Sequence, residues 1–183
     1  MKSGKVKITS GKFKGRNLKT PKNDVTHPMG ARERLALFNM LMSYLDGTVV
    51  LDTFAGTGAL GLEALSRGAD VATFVEKDSV AADAIRQNIH DLGLDNQAKV
   101  IEQPVENFQS NQEFDLVLVD PPYMTYGHQT MWIIIRQILP IVKKGGILVL
   151  SHPVGHIPVF EGFKLLTSRQ YAGANISIFQ RQA

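Results

Sequence analysis

The sequence has 183 residues, of which 44% are apolar and 20% are charged, and it contains no cysteine. This length and composition predict a globular protein of one domain, or of one domain with an appendage. The lack of cysteine excludes disulfides and thiolate metal sites. No apolar run approaches the about 18 residues needed to cross a bilayer, and the basic N-terminus lacks the apolar core of a secretory signal. We therefore expect a cytoplasmic protein.

Positive charge is concentrated at the beginning of the chain. Residues 1–36 contain ten lysines and arginines against two acids, whereas residues 37–183 carry a net charge of −5. Glycines and apolar residues alternate with these bases, which predicts a small folded hairpin rather than a flexible tail. Basic N-terminal arms commonly bind phosphate backbones, although a solvated surface is the simpler alternative. Pro28 and Gly30 predict a boundary, with a basic extension over 1–30 and a main domain over 31–183.

Helices and strands alternate through the main domain. A helix is predicted over 32–44, with Leu35, Phe38, Met42 and Leu45 on its apolar face. Further helices are predicted over 58–66, 79–92 (with Ser79 as N-cap) and 130–142, and strands over 48–53, 71–76, 98–102, 114–120 and 147–150. Two more β-rich runs, 163–168 and 176–180, predict an antiparallel pair. The pattern is typical of an α/β fold with a doubly wound, mostly parallel sheet.

The first strand leads into a glycine-rich turn, residues 51–58, that begins with Leu51 and Asp52 and ends at Gly58. Such a turn lets a ligand approach the backbone near a helix N-terminus. No lysine follows in the position that a phosphate-binding loop requires. An acid at the strand end repels a pyrophosphate and favours a cationic ligand such as S-adenosylmethionine. Glu76 ends the next strand, where it can accept hydrogen bonds from ribose hydroxyls. An NAD-like ligand and a purely structural turn remain alternatives.

A second motif, Asp120-Pro121-Pro122-Tyr123, follows the strand predicted over 114–120. A carboxylate leaves the strand end, two prolines fix the backbone behind it, and an aromatic ring follows. This arrangement suits a flat, amine-bearing ring such as a nucleobase. On its own the motif could also be an ordinary turn, because two consecutive prolines break a strand.

Taken together, the two motifs resemble those of class I amino-methyltransferases that act on nucleobases. The whole chain is similar to the RsmD family of bacterial 16S ribosomal RNA guanine-N2 methyltransferases. The resemblance runs through residues 8–16, 32–39, 58–69 and 74–78. It implies a Rossmann-like domain that uses S-adenosylmethionine to methylate a guanine of 16S ribosomal RNA, within a 30S subunit or an assembly intermediate. The implied cofactor-binding residues are Asp52, Phe54, Ala55, Gly56, Thr57, Gly58, Glu76, Lys77, Gln103 and Pro104.

The sequence departs from the family pattern in two places. His27, Met29, Ala31 and Leu35 replace an arginine, a threonine, an aspartate and a glutamate in a segment close to the expected RNA site. Pro104 replaces an aspartate that usually faces the adenine amine. A side-chain carbonyl from the neighbouring Gln103, or backbone and packing contacts, would then hold the adenine.

The resemblance also implies roles in the reaction. The Asp120 carboxylate and the Pro121 carbonyl would accept the two N–H groups of the target amine, which favours a more nucleophilic nitrogen and aligns it with the donor methyl. Pro122 completes the motif, and Tyr123 would stack on the flipped-out base. No metal is needed, and we interpret His152 and His156 as structural. The residues predicted to contact RNA phosphates are Lys12, Lys14, Arg16, Arg32 and Arg34.

Two competing functions remain open at this level. A DNA adenine or cytosine amino-methyltransferase would use the same chemistry, although no target-recognition domain is visible beyond the basic extension. A catalytically silent RNA-binding assembly protein could retain the fold, although the complete Asp120 motif and Asp52 argue against that hypothesis.

Overall fold

The computed structural model describes residues 5–21, 29–122, 129–171 and 173–183, and the strands found there form one sheet. Its order is β3-β2-β1-β4-β5-β7-β6. The strands are β1 (Val49–Asp52), β2 (Val71–Glu76), β3 (Ala98–Glu102), β4 (Phe114–Val119), β5 (Val142–Pro153), β6 (Phe163–Tyr171) and β7 (Ala174–Arg181).

Strands β1 to β5 pair in parallel, and β7 is antiparallel to both of its neighbours, β5 and β6. The predicted α/β fold, with a mostly parallel sheet and an antiparallel C-terminal strand, is therefore confirmed. β2 and β3 lie on one side of β1, and β4 and β5 lie on the other side. The strand order thus reverses between β1 and β4, and ligands are expected at the carboxyl ends of these two strands. Within the described ranges, no helix is long and apolar enough to span a bilayer.

The helices cover both faces of the sheet. They are α1 (Ala31–Met40), α2 (Ala59–Ser66), α3 (Ser79–Leu92) and α4 (Gln129–Ile138). Helices α1, α2 and α3 share one core with Leu116 and Leu118 of β4. Helix α4 packs on the other face, in a core that contains Val117 and Val119. Alternate residues of one buried strand thus supply both cores, as expected for a strand covered on both faces.

Several local predictions need correction. Leu35 and Met42, predicted on the apolar face of the first helix, are 40% and 60% exposed, because Arg34, Leu37 and Leu41 take the inward positions. Helix α1 ends at Met40, and a short 3-10 helix covers Met42–Tyr44.

The caps and ends of later elements also differ from the sequence prediction. The N-cap of α3 is Asp78, whose side chain accepts a hydrogen bond from the Ala81 N–H, instead of Ser79. Helix α4 ends at Ile138 because Pro140 lies in a following 3-10 turn, and β5 is far longer than the predicted 147–150.

Residues 5–21 form a hairpin-like arm that packs on α2. Lys7 and Asn17 form an antiparallel bridge, and Ile8 and Leu18 belong to the same core as α1 to α3. The predicted boundary near residues 24–31 falls mainly outside the described residues. The arm is therefore packed into the core of the α/β fold by apolar contacts as well as by its polar bonds.

Candidate active site

Polar residues lie together where β1, β4 and β5 reach the carboxyl edge of the sheet. Asp52 is the last residue of β1, and Asp120 follows the last residue of β4. Ser151 lies on β5, one position beyond the pair formed by Val119 and Leu150. Because the strands are parallel, their carboxyl ends meet at one edge of the sheet.

Asp52 is a buried carboxylate with unused hydrogen-bonding capacity. It is 1% exposed, and its Oδ2 accepts a hydrogen bond of 3.0 Å from the Gly61 N–H. Its Oδ1 has no hydrogen-bond partner within the described ranges. Burial raises the pKa of Asp52 to about 7; the Gly61 hydrogen bond opposes this rise, and the charges of Asp120 and Glu76 add to it. A cation placed beside Oδ1 would compensate for both the burial and the repulsion.

The glycine turn brings the backbone close to this edge. Gly56 and Gly58 adopt φ values of 53° and 73°, a region that side chains disfavour. A Cβ on Gly58 would also meet the Ile85 side chain at 3.2 Å. The turn is closed by a 2.7 Å bond from Gly58 N–H to the Ala55 carbonyl, so α2 begins at once behind it. Within this turn Ala55 and Thr57 are buried, whereas Phe54 is partly exposed.

Glu76 has a structural role that the sequence did not indicate. Its Oε2 accepts a 2.7 Å bond from the Gly56 N–H, and its Oε1 accepts a 2.8 Å bond from the Asp78 N–H. The carboxylate therefore joins the end of β2 to the glycine turn and to the start of α3. Each oxygen retains a further lone pair, so the predicted contact with ribose hydroxyls stays a prediction.

A cavity of about 230 Å³ lies next to the turn. This volume is smaller than the about 300–1,000 Å³ of a typical ligand site, so it suits one ring system of a larger ligand. Its lining includes the predicted residues Phe54, Glu76, Lys77 and Pro122. It also includes residues for which the sequence offered no motif: Val75, Val105, Glu106, Thr130, Met131 and Ile134.

Gln103 and Pro104 come just before Val105 in the sequence, and they do not line the cavity. The Gln103 N–H donates a 3.0 Å hydrogen bond to the Glu76 carbonyl. Pro104 precedes a short 3-10 helix, Val105–Asn107, whose first two residues reach the cavity instead. The proposed side-chain contact of Gln103 with adenine stays a prediction.

Asp120 is partly exposed at the mouth of the site. Burial raises the pKa of Asp120, and the neighbouring Ser151 side chain opposes the rise. Pro121 is buried, while Pro122 is exposed and lines the cavity. Tyr123 lies outside the described residues, so its stacking role stays a prediction.

The predicted RNA-binding residues divide into two groups. Lys12, Lys14, Arg16 and Arg32 are exposed, and a guanidinium nitrogen of Arg16 also donates a 3.0 Å bond to the Asp91 carbonyl. Arg34 is only 1% exposed, which argues against the predicted contact of its side chain with RNA phosphate.

Arg34 instead belongs to a buried polar cluster. Its Nε lies 3.5 Å from a carboxylate oxygen of Glu63, and its other nitrogens donate to the carbonyls of Lys7 and Met29. The spacing of apolar residues in the first helix gave no signal for an inward arginine. Burial lowers the pKa of Arg34, and the Glu63 charge opposes that decrease.

The arm lies away from the carboxyl edge. Thr9 and Lys12 contact Glu63 and Ser66, in the second half of α2. Beyond that helix, the Gly68 carbonyl accepts a bond of 3.0 Å from Gly47, just before β1, so α2 ends at the amino edge of the sheet. The basic surface is thus displaced from Asp120 along the length of α2.

Metal ligands are not clustered in the part of the chain that the structure describes: no group of three or more histidine, aspartate or glutamate side chains could hold an ion. His152 is buried, and its Nε2 lies 2.8 Å from the Ser177 hydroxyl, which in turn bonds Ser168. This chain of contacts joins β5, β7 and β6, which agrees with a structural role for His152.

The model of the family described as "Conserved hypothetical protein 95" matches residues 6–180 of the chain. The chain belongs to this family. The resemblance to the RsmD family is thereby confirmed, over nearly the whole sequence.

Two proteins of known name are similar to this chain in sequence. "Ribosomal RNA small subunit methyltransferase D" of Haemophilus influenzae is 40% identical over 125 residues, which span 66% of this chain and 65% of that protein. "Putative rRNA methyltransferase YlbH" of Bacillus subtilis is 28% identical over 183 residues, which span 97% of this chain and 100% of the relative. The more similar relative is thus matched over less than two thirds of its length.

Among solved structures, "Putative methyltransferase yhhF from Escherichia coli" superposes with a TM-score of 0.87 and 28% identity, over 98% of this chain and 99% of that one. A structure titled as a putative methylase from Haemophilus influenzae gives a TM-score of 0.80 at 28% identity, over 98% and 100%. The chain therefore has the fold of the class I methyltransferases.

Proposed function

We propose that this chain transfers a methyl group from S-adenosylmethionine to the exocyclic N2 of a guanine in small-subunit ribosomal RNA. The observation that carries the proposal is the position of Asp120 at the carboxyl edge, beside Asp52 and a cavity lined by Pro122. The name of the Haemophilus influenzae relative supports the RNA class and the reaction type. With ribosomal RNA as substrate, we expect the protein to act in the cytoplasm.

The residues at the glycine turn fit this cofactor. The buried Oδ1 of Asp52, which has no hydrogen-bond partner among the described residues, suits a positively charged group, and Gly56 and Gly58 leave space for close approach to the backbone. Glu76 and Lys77, at the end of β2, border the cavity that would receive the adenosine part. When bound, S-adenosylmethionine would supply an activated methyl group on a sulfonium, so the protein need not activate a leaving group.

The task of the protein is then to orient the acceptor amine. The lone pair of an exocyclic amine is delocalised into the base, which makes the nitrogen a poor nucleophile. The Asp120 carboxylate and the Pro121 carbonyl would accept its two N–H hydrogen bonds and hold its lone pair toward the donor methyl. Positioning and electrostatic preorganisation of this kind can supply a large part of a rate enhancement.

The basic extension, residues 1–30, would contribute affinity for RNA. Lys12, Lys14, Arg16 and Arg32 are exposed, as phosphate contacts require. Because the described part of the arm lies beside the second half of α2, we infer that it binds RNA that flanks the target nucleotide. An assembled or partly assembled 30S particle would present such flanking RNA in a fixed position.

Incubation with labelled S-adenosylmethionine tests the proposal. The acceptors are naked 16S ribosomal RNA, 30S particles from cells that lack this methylase, and duplex DNA, followed by identification of the methylated nucleoside. We expect label in N2-methylguanosine from RNA or particles. Label in DNA would indicate the amino-methyltransferase alternative, and no label in any acceptor would favour the silent assembly protein.

Replacement of Asp120 tests the assigned role. We expect Asp120→Ala to lower kcat by about 100-fold or more, while its affinity for S-adenosylmethionine stays within a few-fold. Asp115→Ala is the matched control, because Asp115 lies at the amino end of the same strand and bonds to Val49 and Lys143. Normal turnover of the Asp120 variant would contradict the mechanism. Equal loss in both variants would indicate damage to β4.

A further inference from the structure

Ser151 is a buried hydroxyl-bearing residue beside the proposed catalytic carboxylate. Val119 of β4 lies opposite Leu150 of β5, so the next position along the two strands brings Ser151 next to Asp120. Ser151 is 1% exposed, although it lies near the open edge of the sheet. A hydroxyl in such a place requires a polar partner, because an unsatisfied buried hydroxyl is costly.

The pleat of the sheet aims these side chains in the same direction. Leu118 and Val149 belong to the core beneath α1, α2 and α3. Alternate residues of a strand share a face, so Asp120 and Ser151 project toward that same face. Asp52 lies opposite Leu118 and joins them there. Asp120 is therefore flanked by a carboxylate on β1 and by a hydroxyl on β5.

The two neighbours of Asp120 have opposite effects. The Asp52 carboxylate, when ionised, repels a negative charge on Asp120. The strand register places the Ser151 side chain beside the Asp120 carboxylate, where it opposes the effect of burial on that group. An ionised carboxylate can only accept, so the Ser151 hydroxyl would be the donor of a hydrogen bond between them. Such a bond would occupy one lone pair of Asp120 and orient the remaining ones.

We propose that Ser151 is a positioning residue, which holds the Asp120 carboxylate ionised and correctly oriented to accept the N–H of the target amine. The inference rests on the function proposed above, and it adds a third strand to the reaction centre. Ser151 itself does not touch the reacting atoms. Ser151 acts through Asp120. It affects the direction of the Asp120 lone pairs and the pH range in which the Asp120 carboxylate can accept a hydrogen bond.

The structure offers a matched control for this role. Ser177, on the adjacent strand β7, is equally buried, but its hydroxyl contacts His152 and Ser168 rather than Asp120. Replacement of either serine by alanine removes one buried hydroxyl from the same sheet. Only the removal of Ser151 alters the environment of the proposed acceptor. Ser151→Thr retains a hydroxyl in the same position and serves as the conservative variant.

Two measurements test the proposal on the full chain. The first is the pH dependence of methyl transfer to 30S particles, with labelled S-adenosylmethionine, for wild type and the three variants. Ser151→Ala should lower kcat by about 10-fold or more and move the acid limb of the profile upward by about one pH unit, because the neighbouring hydroxyl that would donate to the ionised carboxylate is lost. Ser151→Thr should restore the limb, and Ser177→Ala should leave it in place.

The second measurement is the pKa of the Asp120 carboxyl, followed by carbon-detected NMR titration, which needs no substrate. We expect a higher pKa in Ser151→Ala than in wild type or Ser177→Ala. An unchanged pKa in Ser151→Ala would overturn the inference even if wild type is fully active. A wild type inactive on every RNA, with the pKa difference present, would refute the proposed function but retain the contact between Ser151 and Asp120.

Discussion

Glu63 offers the sharpest test of how the arm is held on the protein. Its carboxylate is 0% exposed and accepts bonds from the Thr9 N–H at 2.8 Å, the Thr9 hydroxyl at 2.6 Å, and the Ser10 N–H at 3.0 Å. The same carboxylate pairs with Arg67 at 2.8 Å and with Arg34 at 3.5 Å. One side chain of α2 therefore pairs with two buried guanidinium groups and anchors the arm.

Glu63→Gln removes the charge and keeps the size of the side chain. Two guanidinium groups, whose side chains are 2% and 3% exposed, would lose their buried counter-charge. Breaking one side of a buried ion pair costs about 3–5 kcal/mol, because the remaining charge stays desolvated. For a chain of this size each kcal/mol lowers Tm by about 2–4 °C. We therefore expect Tm to fall by about 6–20 °C.

The assay is thermal and urea unfolding, combined with amide hydrogen exchange of Thr9 and Ser10. Asp83→Asn is the control, because Asp83 pairs with Arg86 on the surface, with side chains 75% and 44% exposed, and should change the free energy of unfolding by at most about 1 kcal/mol. If Glu63→Gln were as stable as that control, the buried cluster would not hold the arm, and the reasoning would be refuted. Faster exchange of Thr9 and Ser10 in the Glu63 variant alone would support it.

Two further predictions concern the cofactor turn and the arm. Only ionised Asp52 attracts a cation, and the pKa of Asp52 is about 7. Affinity for S-adenosylmethionine should therefore fall about 10-fold between pH 8 and pH 6, which titration calorimetry can measure. Asp52→Asn should bind S-adenosylmethionine weakly, and its affinity should not depend on pH in this range. Gly11→Ala would place a Cβ 1.8 Å from the Ser66 carbonyl oxygen at a φ of 80°, so it should weaken RNA binding in a filter assay and leave cofactor affinity unchanged. Gly15→Ala, with a similar φ of 84° and open space around it, isolates the cost of the backbone conformation, and equal RNA affinity of the two variants would argue against arm docking through Gly11.

The order of elements could be predicted from the sequence because each strand carries a short apolar run and each turn carries a glycine, proline or acid. The position of the site at the carboxyl edge of the sheet can be derived from the same pattern. Asp52 and Asp120 each lie at the end of a strand, and parallel strands bring such ends together. Glu76 could be assigned to the edge for the same reason. Its bonds to Gly56 and Asp78 could not, because they depend on how the turn folds back over β2.

Other parts of the site have no periodic or motif signal. Val105 and Glu106 reach the cavity from a short 3-10 helix, and Met131 reaches it from α4 on the other side. The burial of Arg34 could not be predicted either, since an arginine on a helix at the surface of a domain normally points to solvent. Its inward position depends on Glu63, 29 positions away in sequence. Long-range pairing of this kind is invisible to local patterns.

Helix α2 connects the proposed cofactor site with the proposed RNA-binding arm. Its first turns follow the glycine turn, and the Gly61 N–H holds Asp52 at the edge where the cofactor would bind. Its second half carries Glu63 and Ser66, which hold the arm. Since a helix rises about 1.5 Å per residue, the distance from the reaction edge to the basic arm is set by a short rigid element. A flexible tail would supply positive charge alone, whereas an arm docked on α2 would also fix where the flanking RNA lies relative to Asp120, if the arm binds RNA as proposed.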